Sequence, residues 1–496
     1  MNVDVVVVGG GIAGLATAYE LHRRHVSFVV LERASRPGGV IFSEEIDGFT
    51  IDAGPDSLLV QKPDGIKLCE EIGLGDRLVA TKPPRIAFIQ RAGVLHPLPA
   101  ASVLGIPTRV GPFVRTRLFS WPGKLRMGAE LFVPARRDQG DESIGQFVAR
   151  RFGREAATYL AEPLLAGIHA GDVDRLSLRA LFPRLADAER QHGSLLRAFR
   201  QQRSSGPSRR GPEDPQRRSV PDTRERHGAS VPASEGGPPR EANDGAFRSL
   251  AGGLGEMVGG IVRLLPRDAV RVGTEVTRIG GNQPFTVEIK AGEILNARAI
   301  VLATPAYITA SLVQERDAEL ARLCDAIHYA STATVTLAFS RAAVGHPLDG
   351  SGYVVPRTER NGILAASWLS SKWPNRAPEG RVLLRTFIGG ARDPQALDRS
   401  DADLVARSLA AIGPILQIQG APLVTRVYRF ERANAQHEVG HLTRLDAIER
   451  AVARHPGLFV TGSGLRGVGI PDCVADGRAT AGQVAEWLEK EERNRS

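Results

Sequence analysis

With 496 residues, 42% of them hydrophobic, the chain is long enough to form two or three domains around a sizeable core. Its formal net charge of +9 comes from arginines spread along the whole chain, without a basic stripe of interleaved aromatics, so nucleic acid is not a predicted partner. The three cysteines, at positions 69, 324 and 473, have neither metal-ligand nor redox-pair spacing. This spacing predicts buried free thiols in a reducing compartment and no metal site.

The chain begins with the pattern of a dinucleotide-binding unit. A run of valines predicts a buried strand, Gly9-x-Gly11-x-x-Gly14 predicts the turn into an amphipathic helix, and a second apolar strand ends at Glu32. In this pattern the first glycine allows a tight turn, the second lets the backbone approach a pyrophosphate, and the third lets the helix pack on the strand. The phosphates would lie at the helix N-terminus, and Glu32 would hydrogen-bond a ribose hydroxyl.

Two loops after this unit narrow the cofactor to a flavin. Residues 36–39 (RPGG) and residues 52–57 (DAGPDS) would each be ordinary loops alone, but after a dinucleotide fingerprint they resemble the extended FAD motif of the flavin amine oxidase superfamily. Residues 299–305 resemble the strand that returns to the FAD domain. Residues 458–469 (LFVTGSGLRGVG) predict a strand, a glycine turn and a helix start, which would aim backbone N–H groups at the flavin pyrimidine end.

The rest of the chain falls into three stretches of different character. Residues 97–200 are predicted to be mostly helical, with apolar periodicity over 127–132 and 144–165. Residues 201–246 are rich in Arg, Ser, Pro, Gly and acidic residues with scarcely any large apolar side chain, which predicts a disordered insertion. Between 304 and 454, strand-like runs alternate with helices, which predicts an antiparallel sheet.

Six segments narrow the superfamily to one family. They read PRIAFIQRAGVLHPLP, AGIHAGDVDRLSL, FRSLAGGL, SSKWPNRAPEG, RTFIGGARDP and GVGIPDCVADGR, and begin at Pro84, Ala166, Phe247, Ser370, Arg385 and Gly467. Together they resemble the oxygen-dependent porphyrinogen oxidases of haem biosynthesis, the protoporphyrinogen oxidases and coproporphyrinogen III oxidases. The resemblance implies an α/β protein, α+β overall, in which a Rossmann-like FAD-binding domain is interleaved with an antiparallel-sheet substrate domain and a helical domain.

The same resemblance implies domain boundaries. The FAD-binding domain would comprise residues 1–84, 247–303 and 455–496, and the substrate domain residues 85–96 and 304–454. The helical domain would comprise residues 97–200 and could face a membrane, and residues 201–246 would form the insertion.

The family's functional residues carry over to the positions that match its motifs. The implied FAD contacts are Gly9, Gly10, Gly11, Ile12, Ala13, Gly14, Glu32, Arg33, Val40, Gly54, Pro55, Asp56, Ser57, Val276, Val468, Gly469 and Ile470. The implied substrate contacts are Arg85 facing a propionate, Gly167 and Ile168 lining the macrocycle, and Val354 and Trp373 against the pyrrole rings. Residues 433–441 (ANAQHEVGH) depart from the family, in which an Ile-Pro-Gln-Tyr run is usual.

The implied reaction is a six-electron oxidation of a porphyrinogen to a porphyrin, with dioxygen as acceptor and hydrogen peroxide as product. Hydride transfer to the flavin N5 needs no strong protein base, and the sequence offers no Ser-His-Asp set, HExxH motif or paired carboxylates, so no catalytic side chain is predicted. The abundance of arginine does not settle the choice between coproporphyrinogen III and protoporphyrinogen IX. Coproporphyrinogen III, with four propionates rather than two, is slightly favoured by the rule that pocket charges match ligand carboxylates. A flavin amine oxidase, a carotenoid desaturase-like enzyme and a non-catalytic flavoprotein stay open as alternatives.

Location and assembly are less constrained. The absence of a leader sequence predicts a cytoplasmic enzyme. Peripheral contact with the inner face of the cell membrane stays open, since residues 94–121 combine apolar residues, prolines and arginines. A homodimer stays open as well.

Overall fold

The computed structural model describes residues 2–98, 102–103, 106–107, 110–138, 140–204 and 245–495. The predicted insertion, 201–246, lies outside the described residues except at its two ends, where 201–204 complete a helix and 245–246 lead into a strand. No described helix is both long enough and apolar enough to cross a membrane.

The described strands and helices follow one another along the whole chain. The strands are β1 (Asn2–Val8), β2 (Phe28–Leu31), β3 (Ser43–Ile46), β4 (Phe49–Asp52), β5 (Leu58–Leu59), β6 (Leu78–Ala80), β7 (Ala87–Arg91), β8 (Val94–Pro97), β9 (Ser102–Val103), β10 (Ile106–Pro107), β11 (Phe247–Leu250), β12 (Val270–Arg271), β13 (Val276–Gly280), β14 (Phe285–Ile289), β15 (Ile294–Leu302), β16 (Tyr329–Ser340), β17 (Gly352–Val354), β18 (Ala365–Trp368), β19 (Arg381–Gly389), β20 (Val424–Ala435) and β21 (Leu458–Val460). The α-helices are α1 (Ile12–Arg23), α2 (Asp64–Glu71), α3 (Val110–Arg115), α4 (Trp121–Gly128), α5 (Ile144–Phe152), α6 (Arg154–Ala156), α7 (Glu162–His169), α8 (Leu178–Leu181), α9 (Pro183–His192), α10 (Leu195–Ser204), α11 (Gly255–Leu264), α12 (Ala306–Val313), α13 (Ala318–Asp325), α14 (Leu369–Lys372), α15 (Asp401–Leu416), α16 (His441–Val452) and α17 (Ile470–Arg495).

The first large sheet has the order β12-β2-β1-β15-β14-β13, with β21 also paired to β15. Its central pairs are parallel, and β13, β14 and β15 pair antiparallel. Val5, Val6 and Val7 are fully buried, because helices cover both faces of the parallel part. One hydrophobic core contains residues of α1, α11 and α17, and the opposite core contains residues of α12, α13 and α16.

The second large sheet has the order β20-β16-β19-β18-β17-β7-β8. The sequence predicted an antiparallel sheet here, and neighbouring strands are antiparallel except for β7 and β17, which run parallel. The exception arises because β7 comes from a distant part of the chain and joins the edge of the sheet as a hairpin with β8. Helix α15 packs on one face of this sheet, where Leu404, Ile412 and Leu416 are fully buried.

The helical stretch between the two sheets packs around its own apolar core. Helix α5 begins at Ile144 because the side chain of Ser143 accepts a hydrogen bond from the backbone N–H of Gln146, and it buries Phe147 and Phe152. The prediction that this stretch is mostly helical agrees with the described elements α3 to α10, although the short β9–β10 hairpin interrupts it.

A buried network of ion pairs joins these helices; we call it the helical charge cluster and define it as Glu130, Glu142, Arg150, Arg151 and Glu189. Arg151 and Glu130 are both fully buried, with Arg151 Nε 2.9 Å from Glu130 Oε1. Arg150 lies 2.7 Å from Glu189 and 2.7 Å from Glu142. Additional hydrogen bonds from Ser194 and from the Leu195 N–H satisfy the Glu130 carboxylate, as a buried charge requires.

The three cysteines are buried and free, as the sequence predicted. Burial raises the pKa of each thiol to about 12, so all three stay protonated near neutral pH.

Candidate functional site

The predicted dinucleotide turn joins β1 to α1. Gly9 has a φ of +106°, which side chains other than glycine rarely adopt, and a Cβ on Gly14 would overlap the carbonyl oxygen of Gly9. A Cβ on Gly11 would meet nothing within 4 Å, so the space in front of this residue is open. Gly11 is also the N-cap of α1, and no side chain of the described residues caps that helix end. The turn therefore leaves room and helix N–H groups for a pyrophosphate, which fits FAD.

Glu32 lies at the end of β2, beside this turn. Its two carboxylate oxygens accept hydrogen bonds from the Gly10 N–H at 2.7 Å and the Ala34 N–H at 2.8 Å. The Thr274 N–H donates to the Glu32 carbonyl, which brings Val276, the first residue of β13, to the same edge. The hydrogen bond places the chain just before Val276 beside Glu32, and Arg33 follows Glu32 directly.

The loop containing Val40 closes over the turn. The Gly38 N–H donates to the Gly10 carbonyl at 2.7 Å, and a Cβ on Gly39 would lie 3.4 Å from Gly11 Cα. Val40 is exposed, and a Cβ on Gly54 would overlap its carbonyl oxygen. The structure therefore brings Val40 and the segment 54–57 together, beyond the open face of the turn.

A second set of buried charges fixes residues 52–57 against the second sheet; we call it the interface charge cluster and define it as Asp52, Asp56, Lys372, Arg376 and Arg385. Lys372 Nζ and Arg385 Nη2 each lie 3.0 Å from the Asp56 carboxylate. Burial by itself would raise the pKa of Asp56, but these two cations outweigh it and hold that pKa well below its usual range. Arg376 pairs with Asp52 at 2.9 Å, so three cations face two carboxylates and one positive charge is uncompensated within the cluster.

Backbone contacts tie the same cluster to the chain near Gly54. Arg385 Nη1 donates to the carbonyls of Asp52 at 2.7 Å and of Gly54 at 2.8 Å. The side chain of Ser57 donates to Asp56 and accepts from Lys372. The Asp56 and Ser57 side chains are therefore occupied by protein partners, and a ligand would meet this segment through its backbone.

The C-terminal turn leads into α17. Asp476 Oδ2 accepts from the Thr461 hydroxyl at 2.6 Å and from the Gly462 N–H at 3.1 Å, which holds the start of the turn. At its end, the Gly469 N–H donates to Asp472 Oδ2 at 3.3 Å. Val468, Gly469 and Ile470 form the approach to the helix N-terminus, where the partial positive charge of the helix dipole favours an electron-rich group.

The predicted substrate residues are only partly brought together. A Cβ on Gly167 would lie 3.2 Å from Val354 Cγ1, so α7 and β17 are in close contact, and the neighbouring Ile168 is 63% exposed. Trp373 instead lies fully buried in a core with Phe49, and its indole N–H points to Asp56 Oδ2 at 3.4 Å.

Arg85 lies just before β7, the strand that pairs with β17. It is exposed, and its Nε donates to the Thr81 carbonyl at 3.0 Å. A Cβ on Gly245 would come within 2.8 Å of the same Nε, so Arg85 lies against the residue at which the described chain resumes after the insertion.

Sequence reasoning missed Lys372 and Arg385, although each stands in a quoted family segment. It also left aside a pair of buried histidines, His437 and His441, whose signal was the departure of residues 433–441 from the family pattern. Among the described residues, no group of three or more His, Cys, Asp or Glu side chains could hold a metal ion.

The chain is similar to known proteins along nearly its whole length. The family model described as flavin containing amine oxidoreductase matches residues 12–485. The coproporphyrinogen III oxidase of Bacillus subtilis (strain 168) is 33% identical over 492 residues, which cover 98% of each chain. The chloroplastic protoporphyrinogen oxidase of Nicotiana tabacum is 29% identical over 505 residues, covering 99% of this chain and 86% of the relative.

A solved structure gives the same result. A protein from Exiguobacterium sp. 255-15, provisionally named a protoporphyrinogen oxidase, has a TM-score of 0.82 to this chain at 29% identity. The match covers 98% of this chain and 99% of the other.

Proposed function

The chain belongs to the flavin-containing amine oxidoreductases and, within them, to the porphyrinogen oxidases, and from that membership we propose that it oxidises coproporphyrinogen III to coproporphyrin III. It is an FAD-dependent oxidoreductase, which confirms the family and the cofactor expected from the sequence. The observation that carries the substrate proposal is the match to a coproporphyrinogen III oxidase along nearly the full length of both chains. Protoporphyrinogen IX is the second candidate, because the tobacco relative is named for it.

We propose that the cofactor is held by the residues that the family motifs indicated. The backbone of residues 9–14 would bind the pyrophosphate, and Glu32 the ribose, with Arg33 and Val276 beside it. Val40 and residues 54–57 would contact the middle of the cofactor, and residues 468–470 the flavin. The open space at Gly11 and the uncapped start of α1 support the first of these assignments.

Bound FAD would supply the hydride acceptor for the methylene bridges of the porphyrinogen, with dioxygen taking up the electrons as hydrogen peroxide in each of three two-electron oxidations. The chain supplies orientation and charge. Gly167 lets α7 lie close to Val354, and the exposed Ile168 extends this apolar surface, which suits a flat macrocycle. Arg85 would meet a propionate, and Trp373 would act from the core by supporting Asp56 rather than by touching the substrate.

The interface charge cluster would contribute electrostatically. Its uncompensated positive charge lies beneath residues 54–57, which we propose to contact the cofactor. In a poorly hydrated interior such a charge favours negative charge nearby, as develops on a flavin that gains electrons. No side chain is assigned as a catalytic acid or base, because a pyrrole N–H loses its proton readily once the neighbouring bridge has lost hydride.

The division into FAD-binding, substrate and helical domains at the boundaries given above is part of the same proposal, as are a cytoplasmic location and dioxygen as acceptor.

We also propose that the helical stretch touches the membrane surface. Trp121 on α4 is 66% exposed, Leu125 on the same helix 72%, and Phe132 just after it 85%. Lys124 lies over the Trp121 ring at 4.6 Å, which places a cation beside this apolar patch.

Vesicle co-sedimentation tests the membrane contact. We expect wild-type protein to sediment with vesicles that contain anionic lipid, and the triple variant Trp121→Ser, Leu125→Ser, Phe132→Ser to bind at least tenfold more weakly, because about 1.4 kcal/mol of lost apolar burial is sufficient for that change. Equal sedimentation of the two proteins would contradict the contact. A matched control is Ile294→Ser, which removes an exposed apolar side chain from β15.

Porphyrin fluorescence tests the substrate. The purified protein with FAD is given each porphyrinogen separately in air, with flavin-free protein as control. We expect rapid porphyrin emission from coproporphyrinogen III and slower emission from protoporphyrinogen IX. Faster turnover of protoporphyrinogen IX would reverse the substrate choice, and no acceleration of either above spontaneous oxidation would contradict the proposal.

A further inference from the structure

Two histidine rings are stacked between the C-terminal turn and the helical stretch. His437 follows β20 and His441 begins α16; their ring centroids are 3.9 Å apart and their planes differ by 9°. Both residues are almost completely buried, with exposed fractions of 2% and 1%. His437 stands where the family's Ile-Pro-Gln-Tyr run usually ends in tyrosine.

Each ring holds a backbone carbonyl of the C-terminal turn. His437 Nε2 lies 3.0 Å from the Ser463 carbonyl oxygen, and His441 Nε2 lies 2.7 Å from that of Leu465. Because a carbonyl can only accept a hydrogen bond, Nε2 carries the proton and donates in both rings. Nδ1 is then the only ring nitrogen at which either histidine could take up a second proton.

The surroundings disfavour that second proton. His441 Nδ1 is buried and has no hydrogen-bond partner among the described residues, so a proton there would place an unsatisfied, charged donor in the core. Burial lowers the pKa of His437 to about 3, with further lowering from His441 and His169, and burial also lowers the pKa of His441. Both rings are therefore neutral near pH 7.

The turn that the histidines hold is fixed from two other sides. Asp476 on α17 binds the Thr461 hydroxyl and the Gly462 N–H. A Cβ on Gly464 would overlap the hydroxyl of Tyr329, so β16 closes the third side. The carbonyls of Ser463 and Leu465 are held by His437 and His441, and the turn runs directly into residues 468–470.

The same segment also contacts the proposed substrate side. Gln436 Nε2 donates to the His169 carbonyl, at 2.9 Å, at the end of α7, the helix that carries Gly167 and Ile168. The Ser177 N–H donates to the His437 carbonyl at 2.8 Å. Residues 436–441 therefore connect the helix proposed to line the substrate with the turn proposed to lead to the flavin.

We propose that His437 and His441 are a positioning pair: two neutral stacked rings that set the C-terminal turn so that the start of α17 meets the flavin. The inference rests on the proposed cofactor site. The charged and titratable groups that face the pair are His169 from α7, Arg444 on α16 and Asp141 before α5. Lys62 and Asp472 face His169 in turn.

Acid should destabilise the stacked pair of His437 and His441. A histidine whose pKa is lower in the folded than in the unfolded protein stabilises nothing extra above about pH 6.5 and costs stability as pH falls below that value. A histidine that stays neutral in the folded protein shifts the folded-to-unfolded ratio about tenfold per pH unit below about pH 6, and the low pKa of His437 places it in this class. His441, whose pKa is also lowered, shifts the ratio in the same direction. The flavin environment should change over the same range, because positive charge on two buried, stacked rings destabilises the packing that holds the turn.

The test uses the full chain with bound FAD and needs no substrate. Visible circular dichroism of the flavin and urea unfolding are measured from about pH 8 to about pH 4.5, a range chosen from the ordinary histidine pKa. The variant His437→Phe keeps an aromatic ring at this position but lacks the Nε2–H donor and the nitrogen that titrates. We expect an altered flavin dichroism already at pH 8. The acid slope, by which we mean the fall of the folded-to-unfolded ratio with decreasing pH, should be reduced by about tenfold per pH unit.

Two further variants complete the experiment. His437→Tyr restores a hydrogen-bond donor to the Ser463 carbonyl without a titrating nitrogen. It should therefore keep the wild-type dichroism at pH 8 and show the same reduced acid slope as His437→Phe. It also replaces His437→Phe in the test if that variant does not fold. His328→Phe changes a histidine that is exposed and bonded to Glu438, and it should match wild type in both readouts. Wild-type dichroism and acid slope in both His437 variants would overturn the proposal.

The design separates two failures. If the porphyrinogen proposal is wrong, turnover is absent while the acid profile and its change in His437→Phe persist. If the positioning pair is wrong, porphyrinogen turnover is normal while the acid profiles of wild type and His437→Phe coincide.

Discussion

The dinucleotide turn and the interface charge cluster are both parts of the candidate site, but they are built in different ways. The turn is made of backbone: glycines at positions 9, 11 and 14, helix N–H groups, and one carboxylate that accepts from the chain itself. The cluster is made of side chains, with two buried arginines and the partly exposed Lys372 around two buried carboxylates. We infer that the turn depends on the absence of Cβ atoms, whereas the cluster depends on each carboxylate having a cation as its partner.

Removing a carboxylate from the cluster should have the largest effect. Asp56→Asn leaves Lys372 and Arg385 without their anion, which we expect to cost about 3–5 kcal/mol of unfolding free energy. It should also weaken FAD binding, since the cluster fixes residues 52–57. Urea unfolding and fluorescence titration of FAD measure the two effects.

The helical charge cluster supplies the control. Arg151→Met leaves the fully buried Glu130 unpaired and should cost a similar amount, about 3–5 kcal/mol, while the FAD affinity of the folded protein is unchanged. Equal losses of FAD affinity in Arg151→Met and Asp56→Asn would show that the interface charge cluster has no special relation to the cofactor.

Two alanine substitutions test different properties of the dinucleotide turn, its packing within the protein and its room for the cofactor. Gly14→Ala places a Cβ on the Gly9 carbonyl oxygen, so we expect a loss of about 1–3 kcal/mol of stability. Gly11→Ala meets no protein atom within 4 Å, so stability should change by no more than about 0.5 kcal/mol. Because the new methyl group would stand where the pyrophosphate approaches, FAD affinity should nevertheless fall by about tenfold, or about 1.4 kcal/mol.

Chemical denaturation and FAD titration of the two alanine variants check this contrast. A Gly11→Ala protein that keeps full FAD affinity would contradict the placement of the cofactor at the turn. A stable Gly14→Ala protein would contradict the close packing of α1 on β1.

Removing the excess positive charge of the interface charge cluster should have only a small effect on folding. Lys372→Met removes the partly exposed cation and leaves Arg385 paired with Asp56, so we expect a loss of about 1 kcal/mol. The reduction potential of the bound flavin should fall by about 30 mV, equivalent to about 1.4 kcal/mol for two electrons, because the excess positive charge is gone. Spectroelectrochemical titration measures this potential, and Lys67→Met, at an exposed lysine, is the control. An unchanged reduction potential in Lys372→Met would contradict the proposed electrostatic role of the interface charge cluster.

The comparison also explains what the sequence could predict. The strand, turn, helix, strand and acid of the dinucleotide unit fall within residues 3–32, and each is recognisable from local pattern, so the FAD cofactor was predicted correctly. The partners of Asp56 lie more than 300 positions away along the chain. No local pattern connects an aspartate in one loop with a lysine and an arginine that only the folded second sheet brings to it.

Two further residues show the same limit. Trp373 was predicted against the substrate from a specific motif, yet it lies in the core, because the chain after α14 turns inward towards Asp56. The stack of His437 on His441 was visible in sequence only as a departure from a family pattern. Its partners, the carbonyls of Ser463 and Leu465, are backbone atoms and carry no sequence signal.

Anaerobic reduction of the bound flavin by substrate tests the central claim most directly. The purified protein, saturated with FAD and free of dioxygen, is mixed with coproporphyrinogen III while its yellow absorbance is followed. Because one flavin takes up only two of the six electrons, we predict loss of the flavin absorbance before air is admitted, and return of that absorbance with formation of porphyrin afterwards. A flavin that stays oxidised in the presence of coproporphyrinogen III and of protoporphyrinogen IX would contradict porphyrinogen oxidation by this chain.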